Sequence, residues 1–433
     1  MYSPETYRPR ILDEKIDLYL SAIDAVAIVG PRWTGKTTTG QAHAKSEISL
    51  ADSSNNFSNR RLAQASPDFV LKGEQPRLID EWQEVPAIWD AVRYECDANS
   101  KFGKYILTGS SLASVNSEEY FHSGTGRIAP LTMNSMTLYE TGDSSGVVSL
   151  KDLFNNSYET MPVSRVEIDQ LVRYCVRGGW PKSISSSVEA SRITPIQYID
   201  TVIEEDFNRL PFIGRKRPTG KIRAVAEALA SFESTACGVS DIATYISEKT
   251  EFSLTRQSIP SYIEAFSKLF IIYQQPAFTI PSSKTGSKLL KSAKLRFSDP
   301  SLAIAALRLT PEDLLNDIDM LSRFFDCLCA HDIKIYAESL DATYFHLVEE
   351  HGASADSLVK MRDGRVGCFK HVVSAADIDS AVQQLARVKK ILSGNGVNCP
   401  LLCVVCGMAN AVYTVKTADG DDVVITPLTA LKP

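Results

Sequence analysis

Gly30-Pro31-Arg32-Trp33-Thr34-Gly35-Lys36-Thr37 follows the apolar run Val26-Ala27-Ile28-Val29 directly and spells G-x-x-x-x-G-K-[ST] in full. Glycines in such a loop let successive backbone N–H groups wrap around phosphate oxygens, and the next helix adds its N-terminal donors. Lys36 is the candidate to neutralise β- and γ-phosphates, and Thr37 to place its hydroxyl on Mg²⁺. The candidate nucleotide-binding residues are Gly30, Pro31, Arg32, Trp33, Thr34, Gly35, Lys36, Thr37 and Thr38, with ATP and Mg²⁺ as the implied ligands.

A second apolar run, Arg77-Leu78-Ile79-Asp80-Glu81, ends in two adjacent carboxylates. Asp80 there would hold Mg²⁺ through its water shell, and Glu81 would orient or deprotonate the attacking water. A third, Tyr105-Ile106-Leu107-Thr108-Gly109-Ser110-Ser111, ends in hydroxyls, so Thr108 or Ser110 could sense a γ-phosphate or hold the lytic water. Arg127, in Ser123-Gly124-Thr125-Gly126-Arg127, is a candidate to meet transition-state charge in cis or from a neighbouring subunit.

Positioning these groups takes strands that end at one edge of a parallel sheet. Short strands at Ala25 to Val29, Leu78 to Asp80 and Tyr105 to Thr108 alternate with helical patches, as an α/β fold requires. The P-loop core is expected over 1–150, and a helical subdomain over 151–215, interrupted at Gly178-Gly179-Trp180-Pro181. Over 216–298 the pattern predicts helices at Lys221 to Phe232, Val239 to Ser247 and Ser253 to Lys268, then a strand at Phe270 to Tyr273. That is winged-helix order. A separate α/β domain over 299–433 has a helix through Leu302 to Leu328 and strands at Thr343 to Val348, Ser357 to Met361, Gly367 to Val373 and Leu401 to Val405. It closes with a hairpin turning at Asp419-Gly420.

A chain of 433 residues is too long for one ordinary core and favours two or three domains of about 100–200 residues. Its 44% hydrophobic and 23% charged residues fit a globular protein, and no window approaches about 18 uninterrupted apolar residues, which excludes a membrane helix. The N-terminal stretch lacks the apolar core of a secretory signal, and nine cysteines without tight spacing suit reduced thiols, so a cytoplasmic protein is expected. Cys403 and Cys406 form the one C-x-x-C, but on a strand their odd separation sends them to opposite faces, as buried thiols rather than metal ligands. A formal net charge of −6 argues against a whole-molecule cationic surface for nucleic acid while leaving room for local patches.

Taken in order, the motifs resemble a prokaryotic AAA-type ATP-binding family that joins a P-loop core to a winged helix and a C-terminal nuclease-like domain of unassigned function. The resemblance rests on Gly30 to Thr38, Leu78 to Pro86, Ile106 to Ser110, the Gly126 to Glu140 stretch with Met133, Met136 and Tyr139, Gly178 to Pro181, and Phe297-Ser298-Asp299-Pro300. Trp33 departs from it, since such loops usually carry a small or polar residue there; its bulk could pack over the nucleotide or partly close the site. The C-terminal domain looks like the restriction-endonuclease type, which implies a helix acid at Asp326, a strand aspartate at Asp356 and a Glu-x-Lys on the next strand. That last element falls on Lys370-His371-Val372 or Cys368-Phe369-Lys370, and neither supplies a second carboxylate. With distant acids and no paired Glu and Lys, the domain reads as a degenerate, inactive nuclease fold used for contacts. His346, His351 and His371 read as surface or strand histidines, with recruitment into a different metal site as the alternative.

DNA is the candidate macromolecular partner. Arg215, Lys216, Arg217, Lys221 and Arg223 precede the winged helix, and Lys284, Lys288, Lys291, Lys294 and Arg296 follow its strand. The inferred recognition helix carries only Arg256 and Lys268 against Glu264, which favours phosphate-dominated binding over base readout. The expected function is an ATPase coupling hydrolysis to domain rearrangement on DNA. The alternative is a nucleotide-gated interaction module with slow turnover and no DNA role, and an active ATP-dependent nuclease is a third reading. Relatives of this type often form rings, so a homo-oligomer is open.

Overall fold

The computed structural model describes residues 6–99, 101–109, 125–214, 216–280 and 289–433. Its contacts group the chain into two units. The first unit comprises Met1–Ser135, Thr201–Arg217 and Glu264–Ile271; the second comprises Met136–Asp200, Pro218–Ile263 and Ile272–Pro433. Among the described residues no helix is long and apolar enough to cross a membrane.

The first unit contains helix α1 (Leu12–Leu20), strand β1 (Ala25–Val29), α2 (Lys36–His43), β2 (Ser46–Ser49), β3 (Arg77–Asp80), α3 (Ala87–Ala98), β4 (Tyr105–Gly109) and β5 (Ile128–Thr132). The strands form one parallel sheet in the order β2-β3-β4-β1-β5. Every residue of β1 is buried, because both faces are covered. Val26 and Ile28 pack with Leu78, Ile106 and Ile16 of α1, whereas Ala25 and Ala27 pack with Ile79, Leu107 and the Ile88, Trp89 and Val92 face of α3. The alternation is the two-residue period of a strand, and each fully buried aliphatic chain contributes about 1.5–3 kcal/mol. The sheet is therefore a rigid base whose carboxyl ends share one edge, where doubly wound sheets place their ligands.

In the second unit, α4 (Ile168–Arg177) precedes the glycine-tryptophan motif. Gly179 passes so close to the Met136 backbone that a Cβ would lie 2.0 Å from its carbonyl oxygen. The Gly179 N–H donates to Asp299 (2.9 Å), and Trp180 Nε1 donates to Ser301 Oγ (2.9 Å). Motifs more than a hundred residues apart in sequence thus meet in one buried polar knot.

Three helices follow, α5 (Thr219–Ser231), α6 (Val239–Lys249) and α7 (Ile259–Lys268), then an antiparallel pair of β7 (Ile272–Gln275) with β8 (Lys294–Phe297). Helix α7 begins at Ile259, not Ser253. Pro260 has no N–H and its ring would clash with the carbonyl four residues earlier, so it is tolerated only in a first turn.

After α8 (Pro300–Ala306) and the long α9 (Ile318–Ser339) come the strands β9 (Thr343–Val348), β10 (Ser354–Lys360) and β11 (Val366–Val372). Helix α10 (Ile378–Gly394) then leads to β12 (Leu401–Cys406), β13 (Ala411–Lys416) and β14 (Asp422–Thr426). Six strands join in the order β9-β10-β11-β12-β14-β13, and the short β6 (Met161–Pro162) adds to β13 at the edge. Ile378, Ala381, Leu385, Val388 and Leu392 of α10 bury against Leu358, Cys368, Leu402, Val404 and Ile425. Cys406 joins that core and Cys403 does not, yet both are fully buried and free, in keeping with opposite strand faces.

Candidate functional site

Strand β1 delivers the phosphate loop to the carboxyl edge of its sheet. Gly30 has φ +146°, and a Cβ on it would lie 2.1 Å from the Met133 carbonyl oxygen, so the first turn of the loop accepts only glycine. Trp33 sits at φ +62° with 43% of its surface exposed, an unusual backbone state for a bulky residue. Gly35, at φ +95°, ends the loop at the start of α2. Lys36 Nζ donates to the loop carbonyls of Gly30 (3.1 Å) and Pro31 (2.6 Å) and is almost wholly buried.

Burial lowers the Lys36 ammonium to about 8, opposed by Glu81 and Asp80. Phosphate oxygens favour its charged form, so above that pH nucleotide binding must take up a proton and affinity must fall as pH rises. Calorimetry in two buffers of different ionisation enthalpy should find almost no uptake at pH about 7 and most of one proton at pH about 9. Equal uptake at both pH values would contradict this placement of Lys36.

The metal-side residues converge on Asp80, at the carboxyl end of β3. Thr37 Oγ1 and Thr108 Oγ1 each donate to Asp80 Oδ1 at 2.7 Å, and Ser49 Oγ donates to Oδ2 at 3.2 Å. A hydroxyl and a carboxylate side by side are hard oxygen donors of the kind Mg²⁺ takes, so these residues fit the ion. Asp80 and Thr108 pair directly across β3 and β4, which sets the Thr108 hydroxyl against the Asp80 carboxylate. Glu81, with φ +56°, turns out of the strand and accepts from Gln83 Nε2.

Two groups around the loop have no motif to announce them. Arg10 is buried and donates to the carbonyls of Thr34 and Asn134, both at 2.8 Å, tying the loop to the chain after β5. Asp206 accepts from Arg32 at 2.8 Å, although it lies 174 residues later. Burial raises the Asp206 carboxyl, opposed by Arg32 and then Arg209. Only tertiary folding brings these partners in; an arginine after a proline upstream and an aspartate in an acidic helix carry no sequence signal.

Arg127 is not brought to the phosphate loop of its own chain. Its carbonyl accepts from Ala25 at the start of β1, and β5 runs parallel to β1 with Ala25 opposite Ile128. Four residue steps, roughly 13 Å, separate that edge from the loop. Its guanidinium pairs with Asp97 at 2.5 Å. Ser110, Ser111, Ser123, Gly124, Arg215, Lys284 and Lys288 lie outside the described residues.

Two of the three described members of the second basic cluster are buried. Arg296 is fully buried, with Nη1 3.3 Å from Glu233 and 3.0 Å from Asp326, and Nε donating to Gln275 Oε1 at 2.6 Å. Lys294 is also buried, and of the described members Lys291 alone is exposed. Nor are the C-terminal acids distant: Asp326, Asp356 and one ring nitrogen of His371 offer atoms within 4.8 Å of one another. His346 stays on its strand, with Nε2 3.1 Å from the Ser292 carbonyl and its pKa lowered to about 4 by burial and Lys294. His351 is an exposed turn residue.

Residues 23–142 match the family described as an AAA domain, and residues 168–313 match a domain of unknown function (DUF8612). No curated protein sequence matches the chain. Among solved structures it is similar to the Walker-type ATPase PABY2304 of Pyrococcus abyssi, at 13% identity over 71% of this chain and 97% of that one, with a TM-score of 0.42. It is also similar to the Aeropyrum pernix ORC1 protein in complex with DNA, at 12% identity over 70% and 94%, with a TM-score of 0.27. AMPPCP-bound DnaA from Aquifex aeolicus gives 12% identity over 60% and 86%, with a TM-score of 0.23. The five-stranded parallel sheet of the first unit lies within the residues that match the AAA domain.

Proposed function

We propose that this protein binds Mg·ATP at the Gly30 to Thr38 loop, hydrolyses it, and uses the cycle to rearrange its domains, on DNA. The observation that carries the reading is the convergence of Thr37 and Thr108 on Asp80, 2.7 Å each, at the sheet edge that also bears Lys36 and Glu81. Lys36 and the loop amides hold the phosphates; Thr37 and Asp80 hold the metal; Glu81, kept in place by Gln83, orients the attacking water. Bound Mg²⁺ supplies charge neutralisation between the β- and γ-phosphates. Arg32 belongs to the loop yet spends a hydrogen bond on Asp206, so a triphosphate competes with Asp206 for the same guanidinium. The chain runs from Asp206 into α5, which makes that exchange a route from nucleotide state to the helices that follow.

The order α5, α6, α7, β7, β8 supports a winged-helix reading of 216–298, and Lys216, Arg217 and Lys221 remain as its basic approach. Arg223 is paired with Asp200 and Lys268 with Glu264, which favours a few phosphate contacts over base readout. The C-terminal sheet has no paired Glu and Lys, which supports a degenerate restriction-endonuclease-like fold without phosphodiester cleavage.

Titrating a DNA duplex against the ATP-loaded and ADP-loaded protein tests the coupling. Affinity should differ between the two nucleotides and fall steeply between about 50 and 200 mM salt. Absence of binding at both salts would remove DNA from the reading and leave the nucleotide-gated interaction module.

A further inference from the structure

We propose that His43, held between Asp13 and Asp17, is a proton-operated clamp that tightens nucleotide binding when charged and relaxes it when neutral. This regulation rests on the nucleotide site proposed above. Asp13 and Asp17 stand one turn apart on α1, and His43 is the last residue of α2, the helix that opens with Lys36 and Thr37. One imidazole thus joins the helix that carries the phosphate and metal ligands to the helix that precedes β1.

The two ring nitrogens decide which protonation state closes the clamp. Nδ1 lies 2.7 Å from Asp17 Oδ1, and Nε2 lies 3.1 Å from Asp13 Oδ1. An ionised carboxylate only accepts hydrogen bonds and a neutral imidazole carries a single N–H, so both contacts are hydrogen bonds in the imidazolium alone. Loss of the proton sets a lone pair against one carboxylate, and that contact opens. Burial lowers the His43 pKa, but the hydrogen bonds to Asp13 and Asp17 outweigh it and leave the ring above its usual value. The C-terminal end of α2 favours positive charge there as well. Among the described residues, the charged groups facing the ring are Asp13 and Asp17 of α1, with the Tyr7 phenol and Arg10 behind Asp13. On the sheet side of α2, Leu78 and Thr108 pack at Gly40, and neither titrates.

Asp13 passes the state of the clamp to the phosphate loop. Its Oδ1 also accepts from Tyr7 Oη at 2.7 Å, and Tyr7 Oη stands 3.2 Å from Thr39 Oγ1 on α2. Its Oδ2 accepts the Arg10 N–H at 2.7 Å, and the Arg10 guanidinium holds the loop carbonyl of Thr34. A charged His43 therefore fixes Asp13, Arg10 and the loop together, whereas a neutral one lets Asp13 shift and loosens the carbonyl that shapes the loop. Because the folded-state pKa stands above the unfolded one, this stabilisation is complete below about pH 6.5 and is lost as pH rises through the folded value.

The test compares Mg·ATP affinity of the wild type and His43→Gln at about pH 6 and about pH 8, and follows the ring's own titration by NMR. The ionisations of ATP and Lys36 are common to both proteins and cancel in the ratio of their affinities. The wild-type advantage should be about two- to fivefold greater at the lower pH. The His43 resonance, identified by its absence from His43→Gln, should titrate above about pH 6.5 in the nucleotide-free protein and fall toward that value in Asp17→Asn. By linkage it should rise when a non-hydrolysable Mg·ATP analogue binds, which a purely structural contact would not do. An affinity ratio flat in pH, a midpoint indifferent to Asp17→Asn, or one that nucleotide leaves in place would each overturn the clamp alone. Absence of nucleotide binding at either pH would overturn the site and the clamp together.

Discussion

Lys36→Ala should weaken ATP binding by roughly a hundredfold, and Glu81→Gln should leave binding intact while cutting turnover by about 10²–10⁴. The two outcomes differ because the groups act at different points. Lys36 meets the phosphates in the ground state, and losing charge-assisted hydrogen bonds of about 3 kcal/mol appears directly in affinity. Glu81 acts on water, so the Gln variant keeps the hydrogen-bonding shape and loses the basic oxygen. Equilibrium binding of a fluorescent ATP analogue together with phosphate release separates them. Full turnover in both variants would remove the Asp80–Glu81 strand end from the chemistry. Thr108→Val probes the contact between Thr108 and Asp80. With its hydroxyl committed to Asp80, its loss should raise the Mg²⁺ concentration needed for half-maximal activity more than it changes ATP affinity.

What was legible in the sequence depended on how local the physics is. The phosphate loop was readable because its chemistry needs glycines, a lysine and a hydroxyl within eight consecutive residues. Asp80, Glu81 and Thr108 were readable because a parallel sheet forces chemistry to its strand ends. All four C-terminal strands expected are present, Thr343–Val348 with the expected ends and the other three shifted by one to three residues. Arg10, Gln83 and Asp206 were not readable, since each acts by an approach that no neighbouring residue requires. The distance of Arg127 from its own phosphate loop was not readable, because a glycine-arginine pair does not say at which end of its strand it lies. The basic run at 284–296 misled for a related reason: charge was counted without burial. Lys294 and Arg296 alternate on one face of β8, and that face turns inward toward Glu233 and Asp326.

Burial makes Arg296 the residue whose loss should cost the fold most. Its guanidinium is wholly enclosed, and Glu233, equally buried, has Arg296 as its only ion-pair partner among the described residues. Burial raises the Glu233 carboxyl despite Arg296, and Asp326 is held well below the usual range against burial by Arg296 first and His371 next. Arg296→Met should therefore lower stability by about 3–5 kcal/mol at neutral pH, because it strands two buried carboxylates rather than removing a contact. Both carboxyls then titrate upward, and a folded-state pKa above the unfolded one contributes stability at low pH that is lost as pH rises. The deficit should accordingly shrink from about pH 7 toward pH 4, where protonation discharges the stranded groups. Adding Glu233→Gln should restore part of the loss, since it removes one of the two uncompensated charges. Urea midpoints of the single and double variants at the two pH values measure all three expectations. A loss below about 1 kcal/mol, or one that does not vary with pH, would mean that water reaches the cluster and that Arg296 is a surface cation after all.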